Sequence, residues 1–295
     1  MPGAPVNAMR AIRATLLLCL LAPALSALAA PARGSDLFFR TSDGVRLHAI
    51  TAGAPSAPTI VLIPGWTMPA WIFAHQIATF STRYRVVALD PRGQGRSEVA
   101  PSGYDDQRRA QDIAELLQHL GPEPALLGGW SLGVLDVLAY IHTHGDARVA
   151  GLLLIDNSVG EQPWPTPSPP RQGPPPPWPV VMHGFVRSMF LRPQSPGYLE
   201  RLTRAALVTP KWAAEKLLRY PERPGYWRDA LYGMQKPTLY IVRPWLAAQA
   251  ANVARRDPHV ETVVMQGVGH AMFVDAPHRF DALLFSFLQR KIWPR

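Results

Sequence analysis

Short, continuous apolar runs that alternate with stretches of helical periodicity restrict the fold of this sequence more than any other feature. Residues 59–63, 85–89, 149–155 and 237–242 are such runs, and helical patterns such as 132–144 lie between them. A run without alternation suits a strand that is buried on both faces of a sheet. Because parallel strands need long crossover connections, the sequence predicts an α/β fold with helices on both faces of a mostly parallel sheet.

The first 29 residues differ from the rest of the chain. Arg10 and Arg13 precede a short apolar run, and the small residues of Ala27-Leu28-Ala29 follow it. This order is typical of a secretory signal peptide, here cleaved before Ala30. An uncleaved membrane anchor is the alternative, but Pro23 and the shortness of the run disfavour it. We therefore expect an exported protein, periplasmic or secreted, that has no membrane span once the signal is removed.

Charge and cysteine content exclude several function classes. Cys19 is the only cysteine and lies inside the predicted signal, so the mature chain would have no disulfide or cysteine nucleophile. The formal charge of +9 falls to +7 when Arg10 and Arg13 leave with the signal. The positive residues are mostly arginines spread along the chain, and we expect no nucleic-acid partner. No phosphate loop, dinucleotide fingerprint or metal-ligand cluster appears, so neither a cofactor nor a metal is predicted.

The strand–helix rhythm stops between residues 157 and 232. Residues 161–179 hold ten prolines, four of them consecutive at 174–177. Neither a helix nor a sheet strand tolerates such a segment. Helical and aromatic stretches follow it before the rhythm resumes. We therefore predict that residues 157–232 form a cap inserted into a core made of residues 30–156 and 233–295.

The segment Gly129-Trp130-Ser131-Leu132-Gly133 lies where a predicted strand ends and a predicted helix begins. A sharp turn at the serine would crowd its neighbours, and the two glycines relieve that crowding. The hydroxyl would then stand at a helix N-terminus, which favours developing negative charge. This context is typical of a nucleophile elbow. The alternative is an ordinary turn with a capping serine.

A serine hydroxyl needs a general base to act as a nucleophile. Of the nine histidines, His270 is the best candidate, because it follows the last predicted strand and so lies at the same sheet edge as Ser131. A buried histidine bonded to the backbone is the alternative. The backbone N–H groups of Leu132 and Trp66 are the candidate oxyanion hole.

At these positions the chain resembles the α/β-hydrolase family. The resemblance spans residues 36–292 and rests on Pro64-Gly65-Trp66, the stretch Asp90 to Ser97, the elbow and Gly269-His270. It implies the α/β-hydrolase fold, with a mostly parallel eight-stranded sheet, helices on both faces and a cap between strands 6 and 7. It also implies that the aspartate and arginine of the Asp90 stretch are structural.

The acid of the expected triad departs from the family pattern. The family commonly places it after the seventh strand, but that strand leads here into Arg243-Pro244-Trp245, and no carboxylate follows before Asp257. Some members take the acid from the end of the preceding strand, where this chain has Asp156. We predict that Asp156 orients His270. A purely structural Asp156 is the alternative, and Asp275 is a weaker candidate for the acid.

The residues together predict an exported, carboxylesterase-like serine hydrolase (EC 3.1.1) that works through an acyl-enzyme. Its partner would be a small, apolar ester, held in a cleft lined by Trp71, Trp130, Trp178 and Met182. A serine in the elbow argues against dehalogenase or epoxide hydrolase chemistry. The alternatives are a cofactor-free, haloperoxidase-like perhydrolase, a lactonase, a carbon–carbon bond hydrolase, or a non-catalytic binding protein of this fold.

Overall fold

The computed structural model describes residues 34–164, 173–174, 176–219 and 221–294, besides residues 1 and 3. The predicted signal peptide and much of the proline-rich segment lie outside the described residues. Within the described ranges, no helix is both long enough and apolar enough to cross a membrane.

Eight strands form a single sheet in the order β1-β2-β4-β3-β5-β6-β7-β8. The first two strands are antiparallel to their neighbours, and all other pairs are parallel. The strands are β1 (Ser35–Arg40), β2 (Arg46–Ala52), β3 (Thr59–Ile63), β4 (Arg85–Asp90), β5 (Ala125–Trp130), β6 (Val149–Ile155), β7 (Thr238–Val242) and β8 (Val260–Val264). The mostly parallel, eight-stranded sheet expected from the sequence is therefore confirmed.

Ten α-helices connect or follow these strands within the described residues. They are α1 (Ala74–Phe80), α2 (Asp106–Leu120), α3 (Leu132–His144), α4 (Trp178–Ser188), α5 (Pro196–Ala206), α6 (Lys211–Leu217), α7 (Pro224–Gly233), α8 (Ala247–Arg256), α9 (Met272–Asp275) and α10 (Pro277–Phe287). Four of them, α4 to α7, lie between β6 and β7, in the interval predicted to be a cap. The proposed cap limits, 157 and 232, stay a prediction.

The hydrophobic core forms two layers, one on each face of the sheet. Successive side chains of a strand point to opposite faces. Thus Leu127 and Leu154 belong to one layer, and their neighbours Leu126 and Leu153 belong to the other. All four side chains are fully buried. This explains why the central strands are apolar at every position and do not alternate.

Two predicted helices differ from the observed ones. The stretch 69–82 divides into a 3₁₀ turn (Ala70–Phe73) and α1. The terminal helix, expected from residue 280, already begins at Pro277, because proline is well accommodated in a first turn, where backbone N–H groups have no helical partner. It continues into a short π-helical turn, Leu288–Ile292.

Candidate active site

Ser131 lies at the sharp turn between β5 and α3. Its backbone has φ 54° and ψ −121°, a conformation that residues other than glycine rarely adopt. A Cβ on Gly129 would lie 2.2 Å from the carbonyl oxygen of Gly133, and one on Gly133 would lie 2.3 Å from that of Ile63. Both positions therefore require glycine, and the tight turn that the sequence predicted is present.

The structure brings Ser131, His270 and Asp156 together in one hydrogen-bonded chain. The hydroxyl oxygen of Ser131 lies 2.8 Å from Nε2 of His270. Nδ1 of His270 lies 2.6 Å from Oδ2 of Asp156. The serine follows β5, the aspartate follows β6, and the histidine lies in the loop between β8 and α9. These are all carboxyl-terminal strand ends, the edge at which open α/β sheets bind ligands.

Asp156 is buried, and its carboxylate accepts hydrogen bonds from three donor groups. Besides His270, the backbone N–H of Arg243 donates to Oδ1 at 3.0 Å, and Nε of Arg243 donates to Oδ2 at 2.5 Å. Burial by itself raises the pKa of this carboxyl. The hydrogen bond from His270 and the charges of both partners outweigh it and hold the pKa of Asp156 below its usual value. The carboxylate is therefore ionised at neutral pH.

Residues behind His270 fix its loop. The indole N–H of Trp130 donates to the carbonyl of His270 at 2.9 Å, and the two rings lie 5.1 Å apart. Oδ2 of Asp275 accepts from the backbone N–H groups of Gly269 and Leu191, both at 2.7 Å. Asp275, the weaker candidate for the acid, thus anchors the loop to the segment after α4.

The candidate oxyanion hole combines the loop after β3 with the start of α3. A Cβ on Gly65 would lie only 2.9 Å from the Cβ of Ser131, so this loop passes directly beside the serine. Within the described part of the chain, the backbone N–H groups of Trp66 and Leu132 donate to no protein group. The side-chain amide of Gln94 holds the loop by donating to the carbonyl of Gly65 at 3.0 Å. Two free donors are thus available on either side of Ser131.

Aromatic side chains of the cap pack on the oxyanion loop. The ring of Trp66 lies 5.9 Å from that of Trp178 and 4.9 Å from that of Phe185, both on α4, with edge-to-face geometry. Its indole N–H donates to the carbonyl of Ala214 on α6 at 2.8 Å. The position next to the candidate oxyanion hole is therefore bordered by aromatic rings.

The predicted cleft residues do not all share this environment. Trp178 does, through its contact with Trp66. Trp71 packs instead against Tyr198 and lies under the guanidinium of Arg201. Trp130, only 1% exposed, supports His270 from behind, and Met182 is fully buried in the core. Because they are buried, the side chains of Trp130 and Met182 do not line an open cleft.

Sequence reasoning missed residues that hold the site in place. Nothing in the pattern marked Arg243 as a partner of Asp156. The side-chain amide of Asn157 donates to the carbonyl of Ser131 at 2.8 Å, a contact between residues 26 positions apart. Gln94 could have been found, because it belongs to the stretch Asp90 to Ser97, on which the family resemblance rests.

The Asp90 stretch has the structural character that its resemblance implied. The Asp90 carboxylate accepts from Nδ1 of His48 at 2.7 Å and from the N–H of Ala70 at 2.5 Å. Arg92 is buried and pairs with Asp112 at 2.7 Å. Ala70 follows the oxyanion loop, so this network helps to place the loop.

A cleft of about 640 Å³ lies elsewhere on the molecule. Thr59, Arg85 and Ala125 line it, and these are the first residues of β3, β4 and β5. It therefore opens at the opposite end of the sheet from Ser131 and is separate from the site described here.

A model of one protein family matches most of the sequence. Residues 60–283 match a family model described as the alpha/beta hydrolase family. Epoxide hydrolase A of Mycobacterium tuberculosis is 36% identical over 116 residues, which are 38% of this chain and 36% of that protein. The bifunctional esterase/perhydrolase DCH of Acinetobacter calcoaceticus is 33% identical over 119 residues, 40% of this chain and 43% of that protein. The matches thus span about two fifths of the length of these relatives.

Solved structures extend the similarity to most of the chain. A putative aryl esterase from Burkholderia cenocepacia superposes with a TM-score of 0.76 at 22% identity, covering 86% of this chain and 98% of that one. The esterase RhEst1 from Rhodococcus sp. ECU1013 gives a TM-score of 0.73 at 23% identity, with 87% and 99% covered. At this level of identity, the similarity shows a shared fold.

Proposed function

Because this chain belongs to the alpha/beta hydrolase family, we propose that it is a serine hydrolase that cleaves carboxylic esters through an acyl-enzyme. The hydrogen-bonded chain from Ser131 through His270 to Asp156 carries this proposal. In this chain Ser131 is the nucleophile, His270 is its base and Asp156 orients the base.

The geometry supports a specific role for each group. Nδ1–H of His270 donates to ionised Asp156, so the lone pair of Nε2 faces the hydroxyl of Ser131. Ser131 attacks the acyl carbon, and its proton moves to Nε2 of His270. The carboxylate of Asp156 stabilises the imidazolium that forms. The backbone N–H groups of Trp66 and Leu132 donate to the oxyanion.

The remaining steps return the enzyme to its starting state. The imidazolium of His270 gives its proton to the leaving alcohol, which departs and leaves Ser131 acylated. Water then attacks the acyl carbon while Nε2 of His270 takes a proton from it. Collapse of the second intermediate releases the carboxylic acid and restores the serine hydroxyl.

Aromatic packing beside the serine supports an apolar substrate. Trp66 follows Gly65, which passes beside Ser131, and its ring packs against that of Trp178. Aromatic rings bind apolar or aryl groups by burying apolar surface and by edge-to-face contacts. We therefore assign small apolar or aromatic esters as the substrate class.

Perhydrolysis is a second candidate reaction. Two relatives carry such names: the DCH protein above and a non-heme haloperoxidase from Rhodococcus erythropolis, which is 34% identical over 119 residues. Hydrogen peroxide would replace water as the acyl acceptor on the same Ser131. Epoxide hydrolysis fits less well, despite the similarity to epoxide hydrolase A, because the elbow holds a serine where an alkyl-enzyme mechanism needs a carboxylate nucleophile.

Export is part of the proposal and rests on the sequence. The charged, apolar and small-residue segments before Ala30 are typical of a cleaved signal. Expression of the full chain in a bacterial host and N-terminal sequencing of the periplasmic protein tests this. A first residue at Ala30 supports export, and an intact Met1 in the cytoplasm contradicts it.

Hydrolysis of p-nitrophenyl esters of increasing acyl length tests the function. We expect activity that disappears in Ser131→Ala and persists in Ser56→Ala, a matched control on the exposed surface. Parallel assays with hydrogen peroxide compare the two acyl acceptors. Full ester hydrolysis by Ser131→Ala would overturn the proposal.

A further inference from the structure

Arg243 lies in direct contact with both the proposed acid and the proposed base. Its Nε bonds Oδ2 of Asp156 at 2.5 Å, the same oxygen that accepts from Nδ1 of His270 at 2.6 Å. Its Nη2 lies 3.5 Å from Nδ1 of His270. The Asp156 side chain is completely buried, whereas that of Arg243 is 28% exposed. One buried carboxylate oxygen therefore serves two groups that can both be cationic.

Sharing the carboxylate changes the energetics of proton transfer. When His270 takes the proton from Ser131, an imidazolium forms beside a guanidinium that is already charged. Like charges at this distance disfavour the second charge. In addition, Oδ2 of Asp156 accepts a hydrogen bond from Arg243, so His270 shares this oxygen with a second donor. The imidazolium is therefore stabilised less than it would be beside an unshared carboxylate.

We propose that Arg243 is a positioning residue that orients Asp156 and, through its charge, opposes the positive charge that His270 acquires when it takes the proton of Ser131. The guanidinium Nε and the backbone N–H of Arg243 together hold both carboxylate oxygens of Asp156. The effect of Arg243 on turnover rests on the proposed function of the protein as an ester hydrolase.

The other groups around His270 do not reproduce this effect. Asp275 bonds the N–H of Gly269, next to the histidine, but has no bond to the imidazole ring. Trp130 and Ser131 are neutral contacts. Among the described residues, Asp156 and Arg243 are thus the charged side chains that contact the ring. The centre of the Trp245 ring lies 5.8 Å from the guanidinium carbon of Arg243 and carries no charge.

NMR titration of the His270 imidazole tests the inference without any substrate. The signal is assigned by its loss in His270→Gln. We expect Arg243→Gln, or Arg243→Met if the first variant does not fold, to move this titration to higher pH, because a neighbouring positive charge is removed. Arg243→Lys keeps the cation and should leave the titration near its wild-type position. Arg290→Gln, which removes an exposed arginine paired with Glu261, should not shift it.

The pH dependence of kcat/KM for a p-nitrophenyl ester gives the kinetic readout. In Arg243→Gln the acidic limb should move to higher pH by the same amount, with kcat lowered and KM little changed. An unshifted limb and an unshifted His270 titration in the neutral variants would reduce Arg243 to a structural residue and overturn the inference. If the wild type hydrolyses no ester, the proposed function fails, whereas the NMR titration still decides the role of Arg243.

Discussion

Replacement of Asp156 by asparagine should remove most of the turnover while it leaves the fold in place. Three donors point at this carboxylate: Nδ1 of His270, and the Nε and backbone N–H of Arg243. An asparagine has the same shape but carries one NH₂ group, which must face one of these donors. If it faces His270, Nδ1 must accept a hydrogen bond, and the ring proton moves to Nε2. The imidazole then presents a proton to Ser131 and cannot act as its base.

The alternative orientation also costs activity. An amide oxygen facing His270 preserves the tautomer but carries no charge to stabilise the imidazolium. In serine protease triads, the corresponding change lowers kcat by roughly 10⁴. We expect a loss of about 10³ to 10⁴ in kcat for Asp156→Asn, or about 4 to 5.5 kcal/mol of transition-state stabilisation.

Steady-state hydrolysis of p-nitrophenyl butyrate measures this loss, with circular dichroism as the check on folding. Asp275→Asn is the matched control, because Asp275 bonds backbone N–H groups of Gly269 and Leu191 and not the imidazole. Its kcat should fall less than about tenfold. The reasoning is refuted if Asp156→Asn keeps kcat within tenfold of the wild type while Asp275→Asn loses the larger factor.

Three further predictions address the elbow, the core and the cleft. Gly129→Ala should lower the free energy of unfolding by about 2 to 3 kcal/mol because its Cβ meets backbone, whereas Gly184→Ala, with open space around it, should not; thermal denaturation compares them. Burial raises the pKa of Asp136 to about 7, so the wild type should lose up to about 4 kcal/mol of stability relative to Asp136→Asn as pH rises from about 4 to 7, measured by urea denaturation. Trp66→Ala should raise KM for apolar esters about tenfold with a smaller change in kcat, because the oxyanion donor is the backbone N–H, whereas the substitution removes the side chain with its ring contacts and its hydrogen bond to Ala214; a tenfold fall in kcat at unchanged KM would contradict this.

The sign of the Asp136 prediction follows from its raised pKa. Between pH 4 and 7 the unfolded chain ionises this carboxyl while the folded protein keeps it protonated, so the unfolded state gains stability over that range. An asparagine does not titrate, and the variant should lack this slope. Equal slopes for the two proteins would show that Asp136 ionises normally when folded, as an ion pair with Arg109.

The parts of the fold and site that could be predicted from the sequence are those encoded in short, local patterns. The elbow is encoded within five residues, and both of its glycines are required by contacts that a Cβ could not avoid. The central strands were recognisable because each is apolar on both faces. Asp156 was reached only indirectly, from the lack of a carboxylate after β7.

Contacts between distant segments could not be predicted. Asp156 and Arg243 are 87 positions apart. They meet because Ile155 and Ile241 pair in register on adjacent parallel strands, and Asp156 and Arg243 follow this pair by one and two positions. Trp130 shows the same limit, because the pattern does not tell which face of β5 its ring occupies. Only the tertiary structure shows that it lies behind His270.

Trapping of the covalent intermediate tests the central claim most directly. The protein is treated with a fluorophosphonate, and with p-nitrophenyl butyrate under rapid acid quench, and is then digested for peptide mass spectrometry. We expect one adduct of each kind on Ser131, and no adduct in Ser131→Ala or on the control residue Ser56. An unmodified Ser131 during observable ester turnover, or an adduct on another residue, would contradict it.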